Sequence, residues 1–446
     1  MPLTLIEGGT VLTADPAQAL LQTGYVLIED GIIKEVDEGT CPVTDVHERI
    51  NAANKLVIPG LINAHTHLCM TLGRSLGGDR ALLQWLTESQ LPFMEQMTPE
   101  DYALAVTLGA IENLKAGNTT VCEVFFTTRY ADGADALAAK ALDDIGIRAL
   151  FFRCSNDEDF APGFIETTSD IDRRSRELIG DWQGHERLSI GVGPLVPWTA
   201  TDEYWADTVA LRDSGIGVHL HTAETPEYND LMLGRSGKRN VEFLADMNVL
   251  NEKVMLNHCV FLNDDDIGAI AESGAAVIHD PTSNMILASG NAPILKMRKA
   301  GITVGLACDG PACNNTQDMF EVMKDAALLQ KVTTNDATAL TAREVFSMAT
   351  IDGARACGME DKIGSLSPGK IADVTIIDTL APHLCPIHDP FATLVYSARA
   401  ADVEMVMVAG RVVVRDRKIL TIDEQPVIEK AQKRAMELRQ AAENNS

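Results

Sequence analysis

The sequence predicts a (β/α)8 barrel joined to a small β-sandwich domain that is built from both ends of the chain. Through the middle of the chain, apolar β-rich segments alternate with amphipathic helical stretches, which is typical of parallel β/α units. Eight such strands follow one another, a number that favours a closed barrel over an open sheet. The two ends resemble each other more than the middle, and each carries a β-hairpin signal.

The eight candidate strands are separated by segments long enough for crossover helices, for example residues 101–116 and 318–330. No G-x-G-x-x-G motif follows the first strand, which argues against a dinucleotide-binding sheet. We expect the barrel to occupy residues 58–365. Its predicted strands are residues 61–67, 119–125, 147–153, 188–196, 216–223, 254–260, 275–281 and 302–309.

The predicted β domain combines the two chain ends. β-Rich runs flank Asp30-Gly31 near the N-terminus and Ala409-Gly410 near the C-terminus, as in tight hairpins. The closing segment is rich in Ala, Glu, Lys, Gln and Arg and predicts a terminal helix. The expected boundaries are 1–57 plus 366–422 for the β domain and 423–446 for the C-terminal helix.

The composition is that of a large globular protein and excludes several partners. Hydrophobic residues make up 46% of the chain, enough for a sizeable core, and the formal net charge of −27 opposes binding to nucleic acid or to an anionic membrane. Neither a signal peptide nor an apolar stretch of ~18 residues is evident, so we expect a cytoplasmic protein. The nine cysteines are scattered without a C-x-x-C pair and are expected to be small core residues.

Histidines cluster at or near the carboxyl ends of the predicted strands, where barrels of this class place their active sites. His65 and His67 are two residues apart, so both side chains point into the barrel mouth and can chelate one cation. Imidazole nitrogens suit zinc or iron(II), and a carboxylate would complete such a site. Asp309 ends the eighth strand, where a buried carboxylate is costly unless it is paired with a cation or bound to a metal.

The fifth strand offers two candidates for a third ligand, His219 and His221, which share one face of the strand. Glu224 follows His221 by three residues, and a metal-activated water needs a nearby carboxylate to take its proton. This spacing favours His221 as the ligand and Glu224 as the proton acceptor. His258 and His279, on strands six and seven, are further catalytic candidates that could polarise the leaving group, orient the water, or support the ligands from behind.

Several motifs together carry a resemblance to a known family. They are P-G-L-I-N-A-H-T-H at 59–67, His221-x-x-Glu224, His258-Cys259, P-x-S-N at 281–284, Ser289-Gly290, Asp309-Gly310, Asn314-Asn315 and the segment 363–373. The chain resembles the amidohydrolase superfamily over essentially its whole length. It is most similar to the branch of methylthioadenosine/S-adenosylhomocysteine deaminases and s-triazine hydrolases.

The resemblance implies one divalent metal ion per chain, zinc being expected and iron the alternative. Binuclear branches place a lysine at the end of strand four, where residues 191–198 contain none. The implied activity is hydrolytic removal of ammonia from an amino-substituted nitrogen heterocycle by metal-activated water. Glu224 would shuttle protons, His258 would act as an electrophile, and Asp309 would carry the second proton. The implied metal ligands are His65, His67, His221 and Asp309.

Two departures from the family pattern concern the substrate. Leu83 stands where nucleoside deaminases of this branch have a ribose-binding glutamate, and Leu195 stands where they have a histidine, whereas a strand-three arginine is kept as Arg153. Ribose hydroxyls would be left unpaired beside leucines, so the expected substrate is a flat apolar heterocycle and not its nucleoside. The expected substrate-binding residues are Trp85, Leu83, Arg153, Leu195 and Trp198.

Alternative functions use the same constellation. They are displacement of chloride or an alkylamine from a triazine, deamination of methylthioadenosine or S-adenosylhomocysteine, and hydrolysis of a cyclic ureide. A scaffold without catalysis is a further alternative, but it would not need four metal ligands and Glu224. The expected partner is a small heterocyclic substrate, with neither nucleic acid nor a membrane, and the sequence leaves homo-oligomer formation open.

Overall fold

Eight parallel strands form the barrel sheet in chain order in the computed structural model, which describes residues 3–445. Each strand lies where the sequence predicted one, with its ends shifted by a few residues. Nearly all strand residues are buried, as expected for a parallel sheet covered by helices. With strands numbered along the whole chain, those of the barrel are β6 Leu61–Thr66, β7 Asn118–Phe125, β8 Arg148–Ser155, β9 Leu188–Pro194, β10 Val218–Thr222, β11 Val254–His258, β12 Ala276–His279 and β13 Val304–Leu306.

Helices cover the outside of the barrel sheet and line its mouth. They are α1 Leu82–Trp85, α2 Leu91–Met94, α3 Pro99–Lys115, α4 Ala134–Ile145, α5 Thr168–Asp181, α6 Asp202–Asp213, α7 Pro226–Ser236, α8 Asn240–Asp246, α9 Asp264–Ser273, α10 Pro281–Ile286, α11 Ile294–Lys299, α12 Met319–Thr334, α13 Ala342–Met348, α14 Ile351–Ala356, α15 Pro390–Tyr396 and α16 Glu424–Asn445. Local signals set their ends: the Thr98 hydroxyl caps α3, and Gly146, with φ of 88°, ends α4. None of the described helices is long and apolar enough to cross a membrane.

The chain ends form a mixed sheet of nine strands. Backbone pairing joins the strands of both chain ends into one continuous sheet, which forms the small β domain predicted from the two termini. The order is β17-β16-β15-β14-β5-β1-β2-β3, with β4 pairing β1. The strands are β1 Leu3–Leu12, β2 Leu20–Glu29, β3 Ile32–Glu38, β4 Glu48–Asn51, β5 Lys55–Pro59, β14 Val374–Asp378, β15 Val403–Val408, β16 Arg411–Arg415 and β17 Lys418–Ile419.

The two predicted hairpin turns pack against each other. Gly31 has φ of 79°, and a Cβ atom there would lie 2.7 Å from the carbonyl oxygen of Ala409, so glycine is required. Ion pairs then hold the C-terminal part of the chain to the barrel. Arg148 of β8 donates from Nε to Asp373 at 2.9 Å, and Arg434 of α16 donates from Nε to Asp101 of α3 at 2.7 Å.

Candidate metal centre and active site

Four side chains predicted as metal ligands converge at the carboxyl end of the barrel strands. His65 lies on β6 and His67 directly after it, His221 lies on β10, and Asp309 follows β13. The Nε2 atom of His67 lies 3.2 Å from that of His65 and 3.1 Å from that of His221. Oδ1 of Asp309 lies 3.5 Å from Nε2 of His65 and 3.6 Å from Nε2 of His67.

The protonation of these imidazoles fits a divalent cation. The Nδ1 atoms of His67 and His221 lie 2.7 and 2.8 Å from the carbonyl oxygens of Val124 and Leu195. Since a carbonyl oxygen only accepts, both Nδ1 atoms carry the proton, and in the neutral rings the Nε2 lone pairs face each other. Burial lowers the pKa of both rings and of His65, which keeps them neutral. Neutral imidazoles with convergent lone pairs are the form that binds a metal ion.

Asp309 supplies the negative charge of the cluster. Its carboxylate accepts hydrogen bonds from Ser283 Oγ at 2.5 Å and from the main-chain N–H group of Gly310 at 2.6 Å. Burial alone would raise its pKa, but His67, His258 and the Ser283 hydroxyl lower it below the usual value. An ionised carboxylate beside neutral imidazoles complements a divalent cation.

Strained backbone turns bring functional groups to the ends of three strands. Ala223, His258 and Asp309 have φ of 48°, 65° and 64°, in the left-handed region that disfavours residues with a Cβ atom. Such conformations persist where surrounding contacts hold them, and they cluster at functional sites. Here they lie at or next to the ends of β10, β11 and β13, beside the metal ligands.

Glu224 and His258 form a second pair beside the ligands. Oε2 of Glu224 lies 3.4 Å from Nε2 of His258, and Oε1 accepts a hydrogen bond of 2.9 Å from Ser289 Oγ. On the other edge of the ring, Nδ1 of His258 lies 3.0 Å from Oδ1 of Asn284 and 3.6 Å from Oδ2 of Asp280. Burial raises the pKa of Glu224, with His258 opposing the shift. A carboxyl group tuned in this way is suited to accept a proton and return it.

A cavity of about 60 Å³ lies at this cluster. Catalytic candidates and ligands share it, since Glu224, His258 and Asp309 all contribute to its lining. Most of the remaining wall is apolar or aromatic. Four of the predicted substrate-binding residues line it, namely Leu83, Trp85, Leu195 and Trp198, together with Phe126 and Phe160.

Arg153, the fifth predicted substrate-binding residue, is not among the described side chains that line the cavity. Its guanidinium donates to Asp135 Oδ2 at 2.8 Å, to Ser155 Oγ at 2.6 Å and to Glu166 Oε2 at 2.6 Å. Arg174 donates to the same two carboxylates at 3.0 Å each. Arg153 therefore belongs to a buried, charge-balanced cluster that fixes the segment after β8, and this contact set differs from the role expected for it.

His219 and His279 are fully buried, and neither is among the described side chains that line the cavity. Nε2 of His219 lies 2.9 Å from Nδ1 of His65, so His219 orients a ligand from behind. His279, at the end of β12, has no hydrogen-bond partner in the described residues for either ring nitrogen. Burial lowers the pKa of both to about 3. No contact of His279 supports its predicted catalytic role.

Two residues of the site carry no role in the sequence interpretation. Ser289 belongs to a quoted motif, but no spacing rule indicates that its hydroxyl donates to Glu224. Tyr228 lines the cavity, and its ring packs edge-on against Trp198 with centroids 4.4 Å apart. Burial and the neighbouring Glu224 carboxylate raise its pKa. Its position in the first turn of α7, four residues after Glu224, is a signal that could have identified it.

The chain is similar to known proteins over almost its whole length. Residues 56–413 match the Amidohydrolase family. A 5'-deoxyadenosine deaminase from Methanosarcina mazei is 39% identical, over 97% of this chain and 98% of its own, and a 5-methylthioadenosine/S-adenosylhomocysteine deaminase from Syntrophomonas wolfei is 36% identical, over 97% and 99%. The crystal structure of an adenosine deaminase from Xanthomonas campestris with bound zinc has a TM-score of 0.93 at 31% identity, over 98% of both chains. The chain therefore belongs to the amidohydrolase family, as its motifs predicted.

Proposed function

We propose that this protein is a metal-dependent hydrolase of carbon–nitrogen bonds that deaminates an amino-substituted nitrogen heterocycle and releases ammonia. The observation that carries the proposal is that three of the proposed ligands, His67, His221 and Asp309, line one cavity together with Glu224 and His258. Relatives at 36% and 39% identity are named as deaminases of adenosine derivatives, which supports the same reaction class. A scaffold protein would have no need of buried titratable groups in this arrangement.

The metal is proposed to be zinc, one ion per chain, held by His65, His67, His221 and Asp309. Nitrogen and carboxylate ligands suit zinc and also iron(II), and the zinc-bound structural relative supports zinc. No lysine is among the described side chains that line the cavity, which favours a single ion. When bound, the ion would act as a Lewis acid and would lower the pKa of water towards neutrality.

Two carboxylates, those of Glu224 and Asp309, carry the protons, and His258 stabilises the developing charge. Glu224 accepts a proton from the attacking water at Oε2 and delivers it to the ring nitrogen next to the reacting carbon. Asn284 holds Nδ1 of His258, so that a protonated His258 ring presents its Nε2–H group to the negative charge that develops on the attacking oxygen. Asp309 carries the second proton to the departing amine. The products are a ring carbonyl and ammonia.

The cavity wall favours a flat, apolar ring as the substrate. Leu195 is buried beside the metal cluster, and Leu83 lies at the cavity where the family's nucleoside deaminases have a carboxylate. A sugar hydroxyl placed against the buried Leu195 would lose its hydrogen bonds to water without replacement, at a cost of roughly 1–3 kcal/mol. Leu83 is 37% exposed, and its side chain offers a hydroxyl no hydrogen-bond partner. We therefore propose that the free base is preferred over its ribonucleoside.

A second candidate function is deamination of an adenosine derivative. It is favoured by the names of the relatives, which cover almost the whole chain. The cavity polarity opposes it, because a ribose needs partners for two hydroxyl groups. The two candidates share the chemistry and differ only in how the substrate is bound.

Ammonia release from matched pairs of heterocycles tests the proposal. Adenine and adenosine, guanine and guanosine, and amino-substituted triazines and pterins would be compared on one preparation of the zinc-loaded protein. The proposal expects release from at least one heterocycle and a higher kcat/KM for a base than for its nucleoside. Faster turnover of adenosine, methylthioadenosine or S-adenosylhomocysteine would establish the second candidate instead. No ammonia from any member would contradict both.

A further inference from the structure

We propose that Gln317 is a positioning residue that closes the barrel beside the metal centre and holds two of its ligand segments in place. The inference rests on the metal site of the proposed function. Gln317 is fully buried, lies just before α12, and is not among the described side chains that line the cavity. It therefore acts through other residues and does not touch the substrate.

The barrel sheet is weakest at its closing seam. The hydrogen-bonded order runs from β13 to β6, and no ladder joins these two end strands in the described residues. Two bonds cross the seam instead: the N–H group of Asp309 donates to the carbonyl oxygen of His65 at 3.1 Å, and that of Cys308 donates to Asn63 Oδ1 at 2.9 Å. The ligands on the two sides of the seam thus share few main-chain bonds.

The side-chain amide of Gln317 bridges this seam. Its Nε2 atom donates to the carbonyl oxygen of Asp309 at 2.8 Å. Its Oε1 atom accepts from Asn63 Nδ2 at 2.9 Å and from Thr66 Oγ1 at 3.0 Å. Thr66 stands between the two ligands of the H-x-H motif, His65 and His67. One amide group therefore connects the segment of the carboxylate ligand with the segment of two imidazole ligands.

Helix α3 holds the Gln317 amide in this orientation. Asn113 Nδ2 donates to Gln317 Oε1 at 3.2 Å, and the Gln317 main-chain N–H group donates to Glu112 Oε1 at 3.0 Å. A buried amide with donors and acceptors both bonded has one favoured orientation. Asp309 needs such external support because its backbone is left-handed, with φ of 64°.

Gln317→Met tests this role, since methionine keeps the length of the side chain and removes both the donor and the acceptor. Zinc affinity would be measured by competition with a chromophoric chelator, alongside urea unfolding of the metal-free proteins. We expect zinc binding to weaken by about 10–100-fold, the usual effect of losing a group that supports a metal ligand. Gln330→Met is the matched control: Gln330 is a buried glutamine of α12 whose Nε2 atom donates to Asn291 at 2.8 Å. The Gln330→Met variant should lose stability and keep wild-type zinc affinity.

The outcomes separate this inference from the proposed function. Zinc affinity in Gln317→Met equal to the wild type, or equally weakened in both variants, would overturn the positioning role. Failure of the wild-type protein to bind zinc would overturn the proposed function itself. If Gln317→Met does not fold, Thr66→Val removes only one donor to Gln317 Oε1 with little change in shape. It should weaken zinc binding measurably, and wild-type affinity in that variant would also overturn the inference.

Discussion

Replacing Glu224 by glutamine tests its role in proton transfer while keeping the size of the side chain. The glutamine carbonyl can still accept from Ser289 Oγ, which lies 2.9 Å from Oε1 in the native protein. The amide nitrogen then takes the place of Oε2, 3.4 Å from Nε2 of His258, and cannot accept a proton. Turnover should fall by about 10²–10⁴, the usual contribution of general acid–base catalysis.

Ser289→Ala is the control that keeps the carboxylate and removes only its hydrogen bond. A hydrogen bond to a charged group contributes about 1.5–3 kcal/mol, so this variant should lose at most about 150-fold in turnover. The assay is ammonia release under saturating substrate, with metal content determined on the same samples. Metal content should be unchanged in Glu224→Gln. Retention of more than a tenth of wild-type turnover, or loss of the metal, would refute the assignment of Glu224 as the proton shuttle.

The other predictions concern the buried cluster and the cavity. Arg153→Met should destabilise the protein by about 3–5 kcal/mol in urea unfolding, because the buried carboxylates of Asp135 and Glu166 lose a partner. Wild-type stability of this variant would show that Arg174 alone balances the charge of the two carboxylates. Burial opposes ionisation of Asp135, but Arg153 and Arg174 lower its pKa in the folded protein. The ionised Asp135 therefore stabilises the fold fully above its pKa in the unfolded chain, about 3.9, and this stabilisation is lost as the pH falls through its lower pKa in the folded protein. Thermal unfolding against pH should thus show an acid loss that Asp135→Asn reduces. Leu195→His should raise the ratio of nucleoside to base kcat/KM by roughly 5–150-fold, equivalent to about 1–3 kcal/mol; an unchanged ratio would remove Leu195 from substrate selection.

The barrel and the proposed ligand residues could be read from the sequence because their signals are local. Apolar strands with helical stretches between them predict parallel β/α units, and polar residues at the ends of such strands can only gather at one rim. His65, His67 and Asp309 meet for that reason. The choice between His219 and His221 depended on the nearby Glu224, and the two rings do lie in different places: His221 lines the cavity, and His219 supports His65 from behind.

The contacts that the sequence did not predict are non-local pairings of polar groups. Arg153 and Glu166 meet only because the chain after β8 folds back on the strand, and no periodicity encodes that. Gln317 and Asn63 are hydrogen-bonded although 254 positions separate them.

The central claim, that a single divalent metal ion drives hydrolytic deamination, is tested most directly by metal titration of the purified protein against ammonia release. The protein would be stripped with a chelator and reloaded stepwise with zinc, with activity followed on the best substrate of the panel. The account predicts no ammonia from the stripped protein and a linear rise that ends at about one zinc per chain, as for a site with one set of four ligands. Full activity without metal, or a rise that continues to about two ions per chain, would contradict it.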